Sequence, residues 1–363
     1  MIPWGTVYAR GEISPARIRI EKIILSTNIL ISSAGRRVGL LESFRESLGA
    51  LHLTGRLIAV DATEHAAAGE MADAFYLVPK CSDPLFISAV LEICRREQIK
   101  LVVPTIDTEL RYYAAGRAEF QNLGALVGVS DPRTISICED KVLTHEWLIA
   151  NGFPAPKQAL PCDLLRNEAG WSFPVVVKPT NGSASLGFRL VESLEGLQAI
   201  SEDRSLIVQE FVRGSEFTVN VFIDRRGRCL CAIPHCRLEV RGGEVSKGVT
   251  RRHLPMIDLI TNLIEALPGA FGAMNVQCFL TPEDEIRIIE INARFGGGYP
   301  LAHRAGATIT RWLLENSIGS DPTGPFDAWQ DSLVMLRYNQ AVFLQEGKSR
   351  ARAISHATAL HSV

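Results

Sequence analysis

The sequence has no apolar run near the roughly 18 residues that a membrane-crossing helix requires, so no membrane span or membrane partner is expected. It also lacks a surplus of either charge. With 38 Lys+Arg against 40 Asp+Glu, composition gives no reason to expect a nucleic-acid partner or a polybasic membrane patch. The eight cysteines are scattered without a repeated CxxC pair, which argues against a disulfide framework or a zinc ribbon and suits reduced thiols. "SSAGRR", after the first strand, lacks the GxGxxG spacing of a dinucleotide loop, and GxxxxGK[ST] is missing. No Ser-His-Asp or Cys-His motif stands out, so no covalent protein nucleophile is expected. Residues 1–27 carry dispersed charge and no long apolar core; they read as an extension rather than a signal peptide, and the cytoplasm is the expected location.

What remains is a 363-residue chain, 47% hydrophobic, long enough for two or three domains. From Asn28, short apolar runs ("NILISS", "GRLIAVD", "KLVVPT") alternate with amphipathic windows ("GLLESFRESLG", "PLFISAVLEICRREQ"). That alternation predicts a parallel sheet covered on both faces, a doubly wound α/β domain over 28–140. Asp61, at the end of the second strand, reads as a loop or capping residue. A helix through "EDKVLTHEWLIANG" places a boundary near Asp140. Beyond it the pattern is α+β and largely antiparallel over 141–345, with a small lobe at 141–207 and a large lobe at 208–345. A helix is expected from about Leu301 to Ser317, and residues 346–363 read as a frayed tail.

The hairpin "GAMNVQCFLTPEDEIRIIEINARF" makes a geometric prediction. If "PEDE" is the connection, Thr281 faces Ile286, Gln277 faces Glu290 and Asn275 faces Asn292. Asn275, Gln277, Glu290 and Asn292 then share one face, while Val276, Cys278, Ile289 and Ile291 point to the core. One carboxylate among carboxamides is a hard oxygen set suited to magnesium that keeps waters and phosphate oxygens. An ordinary solvated sheet face is the alternative on these residues alone. The loop "TNGSASLG" can fold backbone N–H groups over phosphates, with Lys178 closing the apolar strand before it; a flexible linker is its alternative. In "LIVQEFVRGSEFTVNVF" the strand backbone can meet an adenine edge and Glu216 can accept from ribose hydroxyls, although any strand and turn could read the same way.

Taken in order, Lys141, "VVVKP", "GSASLG", "VQEFVRGSEFTV", "MNVQ" and "IIEINARFGGG" resemble the ATP-grasp superfamily, and most of all the ATP-binding halves of the carbamoyl phosphate synthetase large subunit. The resemblance covers about Asn28 to Gln345, with the first domain similar to the pre-ATP-grasp domain. It implies ATP and Mg2+, with Mn2+ as an alternative ion. It places Lys141 and Lys178 on the nucleotide phosphates and Gly182, Ser183, Ser185 and Gly187 in the lid loop. Glu210, Phe211 and Val212 fall at the adenine hinge, and Glu216 at the ribose. Gln277, Glu290 and Asn292 become metal ligands, and Arg294 stabilises the departing phosphate. Arg237, Arg241 and Lys247, from the basic stretch "HCRLEVRGGEVSKGVTRR", together with Gly297 and Gly298, are the candidates for holding substrate. Cys229, Cys231, His235 and Cys236 cluster nearby, but strand alternation accounts for the first pair and no metal is expected there.

The implied activity is that of a ligase converting a small carboxylate into an acyl phosphate for attack by an amine or thiol, and the resemblance suggests a homodimer, as related enzymes often form. Two rivals stand beside it: synthetase-like phosphorylation of bicarbonate or carbamate, and a non-catalytic nucleotide-binding protein. The chain departs from the synthetase in having one ATP-binding half only, Ala293 in place of the family's proline, and "GGGYP" in place of a serine-rich segment. The single half makes carbamoyl phosphate synthesis unexpected.

Overall fold

The computed structural model describes residues 26–181 and 187–353. Gly182, Ser183 and Ser185 of the expected lid loop, most of the N-terminal extension and residues 354–363 lie outside the described residues.

The apolar runs of the first domain pair as expected. Asn28–Ser32 lies between Leu57–Asp61 and Ile99–Val103, with Ala74–Leu77 and Leu126–Val127 farther out, every pairing parallel. Ile29, Leu30 and Ile31 are wholly buried, because helices cover both faces of the sheet. The helix Val38–Ala50 turns Leu40, Leu41, Phe44 and Leu48 inward. One of the covering elements comes from far along the chain: the helix Ile309–Ser317 packs on Val38–Ala50, and Ser47 Oγ lies 2.7 Å from Thr310 Oγ1. The first domain and the large sheet therefore share a core, which fixes the turn after the first strand against the hairpins opposite. Asp61, the last residue of its strand rather than a loop residue, accepts from the Gly35 and Thr63 N–H groups at 2.8 and 3.1 Å and so shapes that turn.

The second half is antiparallel. The large sheet runs Ile286–Asn292, Gly272–Leu280, Ser215–Ile223, Cys229–Arg241, Glu244–Thr250, Val334–Leu336. A smaller four-stranded sheet, Gln158–Ala159, Leu206–Glu210, Val175–Pro179 and Arg189–Val191, has its own core of Leu164, Val175, Val177, Leu197 and Val208. Asp140 caps the helix Lys141–Ala150 between the domains, accepting from the Val142 and Leu143 N–H groups. Among the described residues no helix is long and apolar enough to cross a membrane.

Three local expectations are corrected. The hairpin turn is one residue longer than expected, with Leu280 rather than Thr281 opposite Ile286, because the Thr281 N–H is drawn into the turn by Glu285 O at 2.9 Å. A bulge at Ile289 then restores Gln277 opposite Glu290 and Asn275 opposite Asn292. Because of that bulge Ile288, not Ile289, fills the core slot next to Ile291. The helix expected over 301–317 is two, Tyr299–Arg304 and Ile309–Ser317, broken at Gly306, whose φ of +115° no helix can continue. The tail is not frayed from residue 346. Ala351–Ala353 adds a parallel edge strand beside Ala74–Leu77, held by Ser349 Oγ and Arg350 N donating to Glu70 Oε1 at 2.6 and 3.0 Å.

Candidate active site

A cavity of about 130 Å³ opens where the shared core brings the two halves together. The first domain contributes Arg36, Arg37 and Asp107; the large sheet contributes Gln277, Glu290, Asn292 and Arg294; loops 242–245 and 296–298 complete the wall.

The hairpin supplies the polar floor. Asn275 Nδ2 donates to the Arg294 carbonyl at 3.0 Å, which secures the chain where the strand ends, and Asn292 Nδ2 reaches Asn275 Oδ1 at 3.4 Å. Arg294 is thereby aimed into the cavity, with Nη2 donating to Asn292 Oδ1 at 3.2 Å and to Asp107 Oδ2 at 2.6 Å. Burial works to lower its pKa, but Asp107 foremost, with Glu290 and Glu244, holds it above the ordinary value, so it stays charged. Its Nε is buried without a hydrogen-bond partner among the described residues.

Glu290 differs from every other acid on this floor. It is half-buried, faces the cavity, and makes no hydrogen bond or salt bridge with a described residue. A half-buried carboxylate without a donor is suited to a cation. Its amide neighbour Gln277 is less available: Gln277 Oε1 accepts from Arg237 Nη1 at 2.8 Å, and the same nitrogen lies 2.9 Å from Glu216 Oε1. Among the described residues no three His, Cys, Asp or Glu side chains converge as a ready-made metal cage. A divalent ion here would rest on Glu290, the Asn292 oxygen and oxygens not supplied by protein, the habit of magnesium.

Lys178 enters from the smaller sheet. Its Nζ donates to Gln209 Oε1 at 2.9 Å, and Gln209 in turn reaches Gln158 at 3.3 Å. Burial lowers the Lys178 pKa to about 8, opposed by attraction to Glu290 and reinforced by Lys141. Both lysines therefore sit within electrostatic reach of one another, and Gly187, the last residue of the expected lid loop, has φ +75°. The Lys141 N–H donates to Thr180 O at 3.1 Å. Glu210, Phe211 and Val212 occupy the link between the two sheets; the Glu210 N–H is already given to Lys157 O at 2.9 Å, and Phe211 is partly exposed. Burial raises the Glu216 pKa; Arg237 opposes this and Glu290 adds to it.

Of the three basic residues expected at the substrate, only Arg237 lines the cavity. Arg241 and Lys247 both turn to Glu239, at 2.6 Å each. Register irregularities on either side of Glu239 break the alternation, so Arg237 and Arg241 do not share a face. Gly297 and Gly298 do line the cavity, and they are close-approach positions. A Cβ on Gly297 would come 2.6 Å from Glu244 Cδ, and one on Gly298 would come 2.7 Å from His235 Nε2 and 2.8 Å from Val245 Cγ1. His235 is fully buried beside Asn220, its pKa lowered to about 3 by burial and then Arg237, so a neutral, immobile ring backs Gly298. Gly298→Ala should therefore lose about 1–3 kcal/mol of stability through overpacking, read as a lower urea midpoint. An unchanged midpoint would mean that His235 can yield.

Arg36, Arg37, Asp107 and Glu244 were not anticipated as site residues. A signal existed for three of them. "SSAGRR" and "PTID" each follow a parallel strand at its C-terminal end, where open α/β sheets bind ligands.

Residues 29–127 match the family described as PylC-like, N-terminal domain, and residues 138–298 match the ATP-grasp domain. The chain is 31% identical over 184 residues to the D-alanine–D-alanine ligase of Lacticaseibacillus casei, covering 46% of each. It is 25% identical over 169 residues to a carbamoyl-phosphate synthase of Methanobrevibacter smithii, covering 45% of each. The chain thus spans about half the length of the curated relatives it matches. Similar solved structures include the biotin carboxylase domain of Hydrogenobacter thermophilus 2-oxoglutarate carboxylase with MgADP and bicarbonate (TM-score 0.67, 15% identity, 85% of this chain and 73% of that one). Another is N5-carboxyaminoimidazole ribonucleotide synthetase from Thermotoga maritima (TM-score 0.61, 20% identity, 83% and 78%). At such identities these structures bear on the fold.

Proposed function

We propose that this chain, which carries an ATP-grasp domain behind a PylC-like N-terminal domain, is an ATP- and magnesium-dependent ligase that activates a small carboxylate as an acyl phosphate for attack by an amine or thiol. The observation that carries the reading is the half-buried Glu290, which has no donor among the described residues and attracts both Lys178 on the smaller sheet and Arg294 just beyond the strand Ile286–Asn292. A cation-binding carboxylate flanked by two phosphate-binding cations matches the demands of phosphoryl transfer, which needs positioning and charge neutralisation more than covalent chemistry. Bound magnesium, or manganese in its place, would supply Lewis-acid neutralisation of the γ-phosphate. Lys141 and Lys178 would hold phosphates under the loop that ends at Gly187. The Glu210 to Val212 link would seat adenine, and Glu216 the ribose. Arg294 would receive the phosphate as it leaves the acyl group. Arg237 grips both Glu216 and Gln277, so it would hold the ribose-binding carboxylate in place and keep the Gln277 oxygen from the metal.

The Lys178 pKa of about 8 gives a pH test with a defined sign. Free of its fold a lysine titrates near 10.4, so the cost of burying the charge is present below about pH 8 and fades as pH rises toward 10. Nucleotide phosphates favour the charged form and raise the pKa, so binding near pH 8.5 should take up a proton and weaken as pH climbs. Calorimetry of ADP binding in buffers of different ionisation enthalpy reads that uptake. Its absence, or its persistence in Lys178→Met, would remove Lys178 from the phosphates.

Phosphorylation of bicarbonate or carbamate is the second reading, favoured by the carbamoyl-phosphate synthase match and by the bicarbonate named in the Hydrogenobacter structure. ADP release measured across carboxylates, amines and bicarbonate separates the readings. Release that requires both an acid and an amine or thiol supports the ligase. Release with bicarbonate and no amine supports the second reading, and no release with any mixture indicates a binding protein.

A further inference from the structure

Two arginines on the turn after the first strand have no part in the chemistry proposed above. The Arg37 side chain is 18% exposed, and its Nη1 lies 3.2 Å from Glu244 Oε1. Arg36 Nη2 stands 3.5 Å from the same oxygen, and Arg337 Nη1 is 3.1 Å from Oε2. Among the described residues Glu244 is the one carboxylate within salt-bridge distance of either Arg36 or Arg37. Arg36 and Arg337 are exposed and screened by solvent, but all three guanidinium groups share one carboxylate, and the mostly buried Arg37 is costly without full compensation. Nor is Arg37 relieved from the other side, where Arg294 repels it. Burial works to raise the Glu244 pKa, yet Arg37, Arg36 and Arg337 together hold it below its ordinary value, so Glu244 is an anion seated among cations.

The backbone shows how that carboxylate is delivered. Gly242 and Gly243 have φ of +55° and +76°, the two left-handed residues of a tight hairpin turn, with Arg241 paired to Glu244 across it. Glu244 projects from this turn into the cavity wall and is pressed against Gly297. Arg37, Glu244 and Arg294 line the same cavity, whose volume of about 130 Å³ suits a small acid. A planar guanidinium fork fits a carboxylate bidentately.

We propose that the Arg36–Arg37 turn binds a second carboxylate of the acid substrate, with Glu244 as the internal carboxylate that the substrate must displace. The substrate class is then a small acid with two anionic groups, one at Arg294 to be phosphorylated and one at Arg37 that identifies it. This rests on the ligase reading only for the position of the first carboxylate.

The test is binding, which needs no turnover. The full chain, with magnesium and ADP, is titrated calorimetrically with succinate, with its singly charged four-carbon analogue butyrate, and with 3-phosphonopropionate. Succinate is expected to bind at least about tenfold more tightly than butyrate, the scale of one charge-assisted contact. Arg37→Gln is expected to bring the two within about threefold, and Glu244→Gln to tighten succinate by about threefold or more as its competitor is removed. Equal affinity or no measurable binding of succinate overturns the proposal, as does a preference that survives Arg37→Gln. Tighter binding of 3-phosphonopropionate than of succinate overturns the carboxylate in favour of a phosphate. If Arg37→Gln does not fold, Glu244→Gln decides: weaker or unchanged succinate binding counts against the subsite. A succinate preference in a protein that releases no ADP with any acid sinks the ligase reading alone.

Discussion

Replacing Glu290 with glutamine is expected to lower the rate of ADP release by about 10³-fold or more, which corresponds to about 4 kcal/mol of lost transition-state stabilisation. The substitution keeps the shape, removes the charge and exchanges one acceptor oxygen for an NH2 donor. Since the Glu290 side chain makes no hydrogen bond or ion pair with a described residue, no partner among those residues is abandoned and the fold should stand. A second effect follows from its neighbour. Attraction to Glu290 is what holds the Lys178 pKa up against burial, so the variant's lysine should lose its proton at lower pH and bind nucleotide more weakly near pH 8. At pH 7 the loss should appear mainly in turnover. Near-normal ADP release would remove Glu290 from the metal.

Arg294→Gln should cost about 10²- to 10³-fold in turnover per bound substrate, the usual scale for losing one preorganised group that meets developing charge. Unlike Glu290, Arg294 is built into the protein, through Asp107 at 2.6 Å and Asn292 at 3.2 Å, so its loss should also reduce stability. Asp107→Asn separates the two contributions. It leaves the guanidinium in the cavity but loosens its anchor to the first domain, and a smaller loss of about tenfold is expected. Equal losses in the two variants, measured alongside urea unfolding, would make Arg294 a structural link between the domains rather than a group that meets phosphate.

Much of this was legible in the residues. Period-two alternation along 275–277 and 290–292 placed Asn275, Gln277, Glu290 and Asn292 together, because side-chain direction on a strand follows from the backbone alone. The same rule failed at Ile289, where a bulge that depends on turn geometry shifted the core position to Ile288. It failed again at Arg241 and Lys247, for which irregular register next to Glu239 redirected both side chains. Arg36, Arg37 and Asp107 lie beyond such reasoning. They reach the cavity through contacts between distant segments, such as the helix Ile309–Ser317 on Val38–Ala50 and Ser130 on Phe271, which no local pattern announces. Glu244 was equally hidden, since only the folded hairpin turn carries it to the arginines. The edge strand Ala351–Ala353 was missed for a related reason: a segment of three residues becomes a strand only when an exposed sheet edge is there to receive it.

Oxygen transfer tests the central claim most directly. With an acid whose carboxylate carries 18O and an amine that supports turnover, the carboxylate oxygen that attacks the γ-phosphorus stays with phosphate when the amine displaces it at the acyl carbon. Mass spectrometry of the released phosphate should therefore find one 18O atom per turnover, matched by one ADP. Unlabelled phosphate accompanying ADP release would contradict an acyl phosphate, and with it the roles of Glu290, Lys178 and Arg294 in forming one.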